Sequence, residues 1–344
     1  MKIQENVRLA PFTTLGIGGP ARWFVEAATE AEIVETVRWA REGEVPLFVL
    51  GGGSNLLVSD SGFEGLVLRV ALRGIESKNI PGTRIYSVAA GETWDAFVER
   101  TVLEGCAGIE CLAGIPGTVG GTPVQNVGAY GQEVAETIER VRVLDLRTLE
   151  FQEMPAAECG FAYRSSIFNS TARGRFLVTR VDYRLQPGGA ANLRYADVQR
   201  AFTAAPNPSL VEVAGAVRRI RRGKGMLLVE GDADCRSAGS FFKNPIISAE
   251  QFAEMTVRLG QEPPCYPAGE GRVKLPAAWL IEQAGFPKGF VLGRAGISSR
   301  HTLALINAGN ASAEDLLALR DAIVSEVEAK FGIALEMEPV TLGF

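Results

Sequence analysis

Residues 112–131 read LAGIPGTVGGTPVQNVGAYG, and no other stretch constrains the fold as much. Six of its twenty residues are glycine, two are proline and none is charged. Neither an apolar stripe of helical period nor a strand-like alternation fits it. Glycine opens positive φ and close backbone approach, whereas proline fixes φ. A long uncharged loop of this kind is either a tight crossover between buried strands or a place where backbone lies against a ligand. Successive turns expose N–H groups that form a concavity for an anion. The ligand class this implies is flat, partly apolar and phosphate-bearing.

A second glycine cluster supports the ligand reading. Residues 46–50 read as a short buried strand running into Gly51, Gly52, Gly53, Ser54 and Asn55. Main-chain N–H groups can reach a phosphate there, and Ser54 and Asn55 add side-chain bonds. A plain β-turn remains the alternative. Residues 13–21, TTLGIGGPA, match the loose dinucleotide pattern GxGxxA. That pattern needs a strand before it and a helix after it. Residues 6–12 are a poor strand and 22–25 are strand-like, so we expect a loop leading into the first strand.

The 344 residues suggest two or three domains, and 47% hydrophobic with 22% charged residues fits a globular chain with a sizeable core. A net charge of −5 argues against a general nucleic-acid binder, which needs a basic face. The five cysteines, Cys106, Cys111, Cys159, Cys235 and Cys265, are odd in number and form no CxxC. Neither a disulfide framework nor a metal site is expected, and a reducing cytoplasm is the simple reading. The N-terminus has no apolar signal-peptide core and no run suits membrane insertion, so a cytoplasmic chain is expected; a monomer is expected separately.

Helices are expected at 29–43, where Thr29 and Glu32 form a capping box, and at 93–104, 209–224, 248–259 and 312–331. Strands are expected at 66–70, 85–89, 138–146 and 176–185. Helix 209–224 ends in RRIRRGK, five basic residues that complement the helix dipole and could meet a pyrophosphate. For any single arginine a solvated basic face is the simpler reading.

The segments LGGGSNLL (50–57), GIPGTVGG (114–121), QNVGAYG (125–131), FAYRSSIF (161–168) and AGSFFKNP (238–245) follow one another in this order. Together with TTLGIGG (13–19) they resemble the UDP-N-acetylenolpyruvoylglucosamine reductase family, in its longer form with a substrate-covering tyrosine. The resemblance runs from Thr13 to Glu338. It implies an α+β fold with a vanillyl-alcohol-oxidase type FAD-binding domain of two α/β subdomains, 1–80 and 81–224. A smaller α+β substrate-binding domain at 225–330 and a tail at 331–344 returning to the active site would follow.

The resemblance also implies FAD and NADPH as cofactors and UDP-N-acetylglucosamine enolpyruvate as substrate, reduced to UDP-N-acetylmuramate in peptidoglycan synthesis. Hydride would pass from NADPH to FAD and then to C3 of the enolpyruvyl group, with a proton added at C2. Ser240 matches the proton donor, Arg164 the cation that stabilises the enolate-like carboxylate, and Glu338 the assisting acid. The ending reads LEME before Pro339, which leaves Glu336 as an alternative to Glu338. FAD would lie against Gly51, Gly52, Gly53, Ser54, Asn55, Gly114, Ile115, Pro116, Gly117, Thr118, Gly120, Gly121, Asn126, Gly128 and Ala129. Tyr163, Tyr195, Lys224 and Asn244 would bind substrate. His301, the single histidine, reads more simply as structural. Another FAD-dependent oxidoreductase of the same fold is the alternative, but it leaves AGSFFKNP unexplained. A flavin- or nucleotide-sugar-binding regulator is the non-enzymatic alternative, and it needs no proton donor.

Overall fold

The computed structural model describes residues 1–204 and 207–344. The chain divides into two compact units: 1–7, 21–53 and 64–222 form the first, and 8–20, 54–63 and 223–344 form the second. Each has its own hydrophobic core.

In the first unit, a four-stranded sheet has the order β1 (Gln4–Arg8), β2 (Pro20–Ala27), β5 (Phe63–Val70), β3 (Leu47–Leu50). Helix α1 (Glu30–Glu42) joins β2 to β3, opened by the reciprocal Thr29–Glu32 capping box and closed at Gly43. Its Ile33, Val37 and Ala40 fall at the spacing that puts them on one face, and all three are buried. Strand β1 corrects the expectation that the chain enters its first strand after residue 19. Its sequence, QENVR, is almost wholly exposed, so no apolar pattern announces it. Strand β3 is also less buried than expected, since only Leu50 is buried.

A second sheet is antiparallel and runs Glu150–Pro155, Ile138–Asp145, Phe176–Pro187, β7 (Thr83–Ala89), β6 (Ile75–Ile80). Val181 of its central strand faces Val141 on one side and Val88 on the other. Helix α2 (Trp94–Leu103) buries Trp94 and Phe97 within an aromatic cluster completed by Tyr86 and Tyr183. Helix α3 (Ala196–Ala201) is short, and α4 (Leu210–Gly223) starts at the expected Ser209–Glu212 pair, with Glu212 N–H donating to Ser209 Oγ at 3.3 Å.

The second unit contains α5 (Ala249–Leu259), α6 (Ala277–Gln283) and α7 (Ala313–Phe331) with two three-stranded sheets. Two early stretches of chain are built into it. Leu15 and Ile17 join its core, Thr14 Oγ1 donates to Ser237 O at 2.6 Å, and Asn307 Nδ2 donates to Leu15 O at 3.1 Å. Leu57, in β4 (Leu56–Val58), joins the same core, and β4 pairs in parallel with Val340–Leu342. Asp60 caps α7 by accepting from Ala313 N–H at 2.8 Å and Glu314 N–H at 3.3 Å. The TTLGIGG motif is thus a core-forming loop that leads into a strand, which agrees with rejecting a dinucleotide turn.

Candidate functional site

In the first unit, the two glycine clusters meet backbone to backbone. A Cβ on Gly52 would lie 2.5 Å from Gly117 Cα, and one on Gly51 would lie 3.0 Å from Thr118 Oγ1. Gly53, Gly114 and Gly117 have φ of +63°, +75° and +124°, which L side chains rarely adopt. The turn at Val119–Gly121 is pinned to the end of β7: Gly120 N–H donates to Ala90 O at 2.8 Å, and Val119 N–H to Glu92 O at 2.9 Å. A Cβ on Gly121 would meet no protein atom within 4 Å, so this part of the loop opens outward.

The start of the loop is clamped. Gly114 N–H donates to Asp95 Oδ1 at 2.6 Å, and the same oxygen takes Arg218 Nη2 at 2.8 Å. Gly114 O accepts Arg221 Nε at 2.9 Å. Arg221 is only 7% exposed, which corrects the solvated-face reading for this arginine. Burial pulls its pKa down, and a hydrogen bond with Tyr130, from the far end of the loop, opposes that pull. Tyr130 also meets Tyr195 edge to face, with centroids 5.3 Å apart. Tyr195 is largely exposed at the start of α3, and its segment is tied to the loop by Asn192 Nδ2, which donates to Gly131 O at 3.0 Å.

Asn126 is buried, and its side chain bonds within the protein. Its Nδ2 donates to Glu133 Oε2 at 2.9 Å and to Ala162 O at 3.0 Å, while Oδ1 accepts Ala135 N–H at 3.1 Å. Both amide hydrogens are therefore used within the protein. Ala162 and Ser165 close a two-residue turn by mutual N–H···O bonds of 3.0 and 3.1 Å. Tyr163 and Arg164 form its tip. Arg164 has a left-handed φ of +53°, its Nη2 donates to Gly128 O at 2.6 Å, and its guanidinium lies 5.2 Å from the Tyr163 ring centre. A non-glycine residue in that region costs roughly 1–2 kcal/mol and is held there by its surroundings.

In the second unit, the stretch around Ser240 lies beside the C-terminal tail. Phe241 and Phe242 are buried, and Phe242 bridges to Met337. Phe241 O accepts Glu338 N–H at 2.9 Å, so the backbones of Ser240 and Glu338 are one peptide apart across this pairing. Asn55 Nδ2 donates to Glu338 O at 3.3 Å, and Val340 N–H donates to Asn55 O at 2.9 Å. Glu336 is exposed and forms an ion pair with Lys243. Asn244 uses Oδ1 to accept Ala277 N–H at 2.9 Å, capping α6.

His301 is partly buried, and burial, with Lys224 and Lys288 nearby, pushes its pKa down to about 4. Neutral at ordinary pH, it keeps two lysine charges within electrostatic reach. All five cysteines are free, and burial pushes the Cys159 thiol up to about 12. Among the described residues no cluster of His, Cys, Asp and Glu is arranged to hold a metal ion. A groove of about 580 Å³ between α5 and the end of α7, lined by Arg258, Phe331 and Ile333, lies in the second unit apart from the expected site residues.

Two family models match the chain: one described as UDP-N-acetylenolpyruvoylglucosamine reductase, C-terminal domain, over residues 231–342, and one described as FAD binding domain over 21–148. The UDP-N-acetylenolpyruvoylglucosamine reductase of Thermobifida fusca is 49% identical, covering 98% of each chain. That of Streptomyces coelicolor is 49% identical over 99% of this chain and 91% of its own. The crystal structure of UDP-N-acetylenolpyruvylglucosamine reductase from Thermus caldophilus superposes with a TM-score of 0.68 at 29% identity, covering 100% of both chains.

Proposed function

The chain belongs to the UDP-N-acetylenolpyruvoylglucosamine reductase family, and from that premise we propose how its own residues carry the reaction. It is an FAD- and NADPH-dependent oxidoreductase of peptidoglycan precursor synthesis. The residues of the first unit suit the cofactor. Two glycine loops too close for side chains present uncharged main chain, and the open face at Gly121 leaves room beside them. Gly51–Gly53 and Gly114–Gly121, with the main chain of Asn126, Gly128 and Ala129, would hold the FAD. FAD held there would supply the hydride chemistry, from NADPH to C3 of the enolpyruvyl group.

The protein's part is binding, charge and one proton. Ser240 Oγ gives its proton to C2. The Arg164 guanidinium stabilises the negative charge that builds on the substrate carboxylate. Glu338 assists as a hydrogen-bonded carboxyl, since a bare anion would repel that charge. Lys224 meets the substrate's phosphates as a point charge, Tyr195 covers the substrate, and Tyr163 and Asn244 line its site. Proton transfer by a placed side chain contributes about 10²–10⁴-fold, or roughly 3–5 kcal/mol.

The observation that supports these roles is the hydrogen bond from Glu338 N–H to Phe241 O, which sets Glu338 beside the residue that follows Ser240, although the two candidates are almost a hundred positions apart in sequence. In this reading 1–80 and 81–224 are the FAD-binding subdomains, 225–330 binds substrate and 331–344 is the returning tail. The enzyme would act as a cytoplasmic monomer. Among the described residues no helix is long and apolar enough to cross a membrane. The test is anaerobic reduction of the purified flavoprotein by NADPH, then addition of UDP-N-acetylglucosamine enolpyruvate. Reoxidation with formation of UDP-N-acetylmuramate is expected. A flavin reduced by NADPH but not reoxidised by this substrate would refute the substrate assignment.

A further inference from the structure

Asn55 ends the GGGSN loop, where a side-chain bond to the cofactor phosphate was the expectation. Its amide is instead turned to the C-terminal tail. Nδ2 donates to Glu338 O at 3.3 Å, and Asn55 O accepts Val340 N–H at 2.9 Å. The contact spans 283 positions of sequence. Directly beyond it the parallel ladder of β4 with the tail begins, Leu56 opposite Val340. On its other side Glu338 is fixed by its own N–H, which donates to Phe241 O at 2.9 Å. The Glu338 main chain is thus held at both its N–H and its C=O, by the stretch that carries Ser240 and by Asn55.

We propose that Asn55 is a positioning residue for Glu338: its side chain orients the Glu338 main chain beside Ser240, and only its main chain serves the cofactor loop. This rests on the reading that Glu338 assists protonation of the substrate. A carboxyl that must share a hydrogen bond with the reacting group tolerates little displacement, and misplacement by about 1 Å can cost on the order of 10²-fold. An alanine at 55 removes the Nδ2 bond to the Glu338 carbonyl, and an aspartate of the same size puts an acceptor against it.

The experiment uses the full-length flavoprotein and reads three quantities: FAD per chain, the rate of flavin reduction by NADPH, and the rate of reoxidation by UDP-N-acetylglucosamine enolpyruvate. Asn55→Ala and Asn55→Asp should keep FAD and flavin reduction within about twofold while reoxidation slows by about 10- to 100-fold. The double variant Asn55→Ala/Glu338→Ala should be no slower than Glu338→Ala alone, because both changes remove the same contribution. Loss of FAD, equal slowing of both half-reactions, or additive effects in the double variant would overturn the proposal. So would slow reoxidation in Glu338→Ala with normal reoxidation in Asn55→Ala. Normal reoxidation in Glu338→Ala would overturn both this proposal and the reading of Glu338.

Discussion

A serine hydroxyl is a weak acid, so Ser240 can serve only where the receiving carbon is basic and the hydroxyl is fixed in place. The chain fixes it by burying the two phenylalanines that follow and by pairing Phe241 with Leu303 and Glu338. Ser240→Ala should leave reduction by NADPH nearly normal and slow flavin reoxidation by substrate about 10²–10⁴-fold. Stopped-flow absorbance separates the two steps, and an equal loss in both would contradict the role. His301 makes a different prediction. Its folded pKa of about 4 lies below the ordinary value of 6.5. The unfolded chain therefore binds the extra proton first, so this group costs nothing above about pH 6.5 and destabilises increasingly as pH falls toward 4. The full penalty is about 3 kcal/mol. Urea melts of wild type and His301→Gln between pH 4 and 7 should converge at pH 7. Toward pH 4 wild type should lose more stability than the variant. Parallel curves would show that His301 stays uncharged for another reason or is not buried in solution.

At the scale of elements, α4 does more than end in a basic cluster. Arg218 meets Asp95, Arg221 meets Gly114, and Asp95 takes the Gly114 N–H, so both main-chain polar groups of Gly114 are held. Arg221→Met keeps the bulk but removes the Nε donor to Gly114 O in a buried place. It should cost about 1–3 kcal/mol in stability and weaken FAD retention, read by denaturant melts and by flavin released on dilution. Unchanged retention would make the clamp irrelevant to the cofactor loop. This clamp was not legible in the sequence, because RRIRRGK shows charge but not which arginine turns inward. The capped helices were legible, since Thr29–Glu32, Ser209–Glu212 and Ser312–Asp315 are local signals that the fold preserves. The strands at Ile75–Ile80 and Glu150–Pro155 were not, because as exposed sheet edges they carry polar sequences without alternation. The close approach that the glycine loops allow was legible, but the inward turn of Asn126 was not, since its partners Glu133 and Ala162 lie beyond the motif.

For the whole molecule, the two units are not two consecutive lengths of chain. Family similarity begins at residue 231 for the second, yet its core also takes Leu15, Ile17 and Leu57 from the first sixty residues. Its last strand pairs with β4, and its longest helix is capped by Asp60. Local patterns mark each of these elements, but only tertiary packing assigns them to a unit. The energetic consequence is large. Burying three such aliphatic side chains contributes roughly 5–9 kcal/mol, comparable with the net stability of roughly 5–15 kcal/mol of a typical domain. Residues 223–344 produced alone should therefore fail to melt cooperatively by circular dichroism and should expose apolar surface to a hydrophobic dye. A fragment that melts cooperatively would show that the 8–20 and 54–63 stretches are accessories to a self-sufficient core.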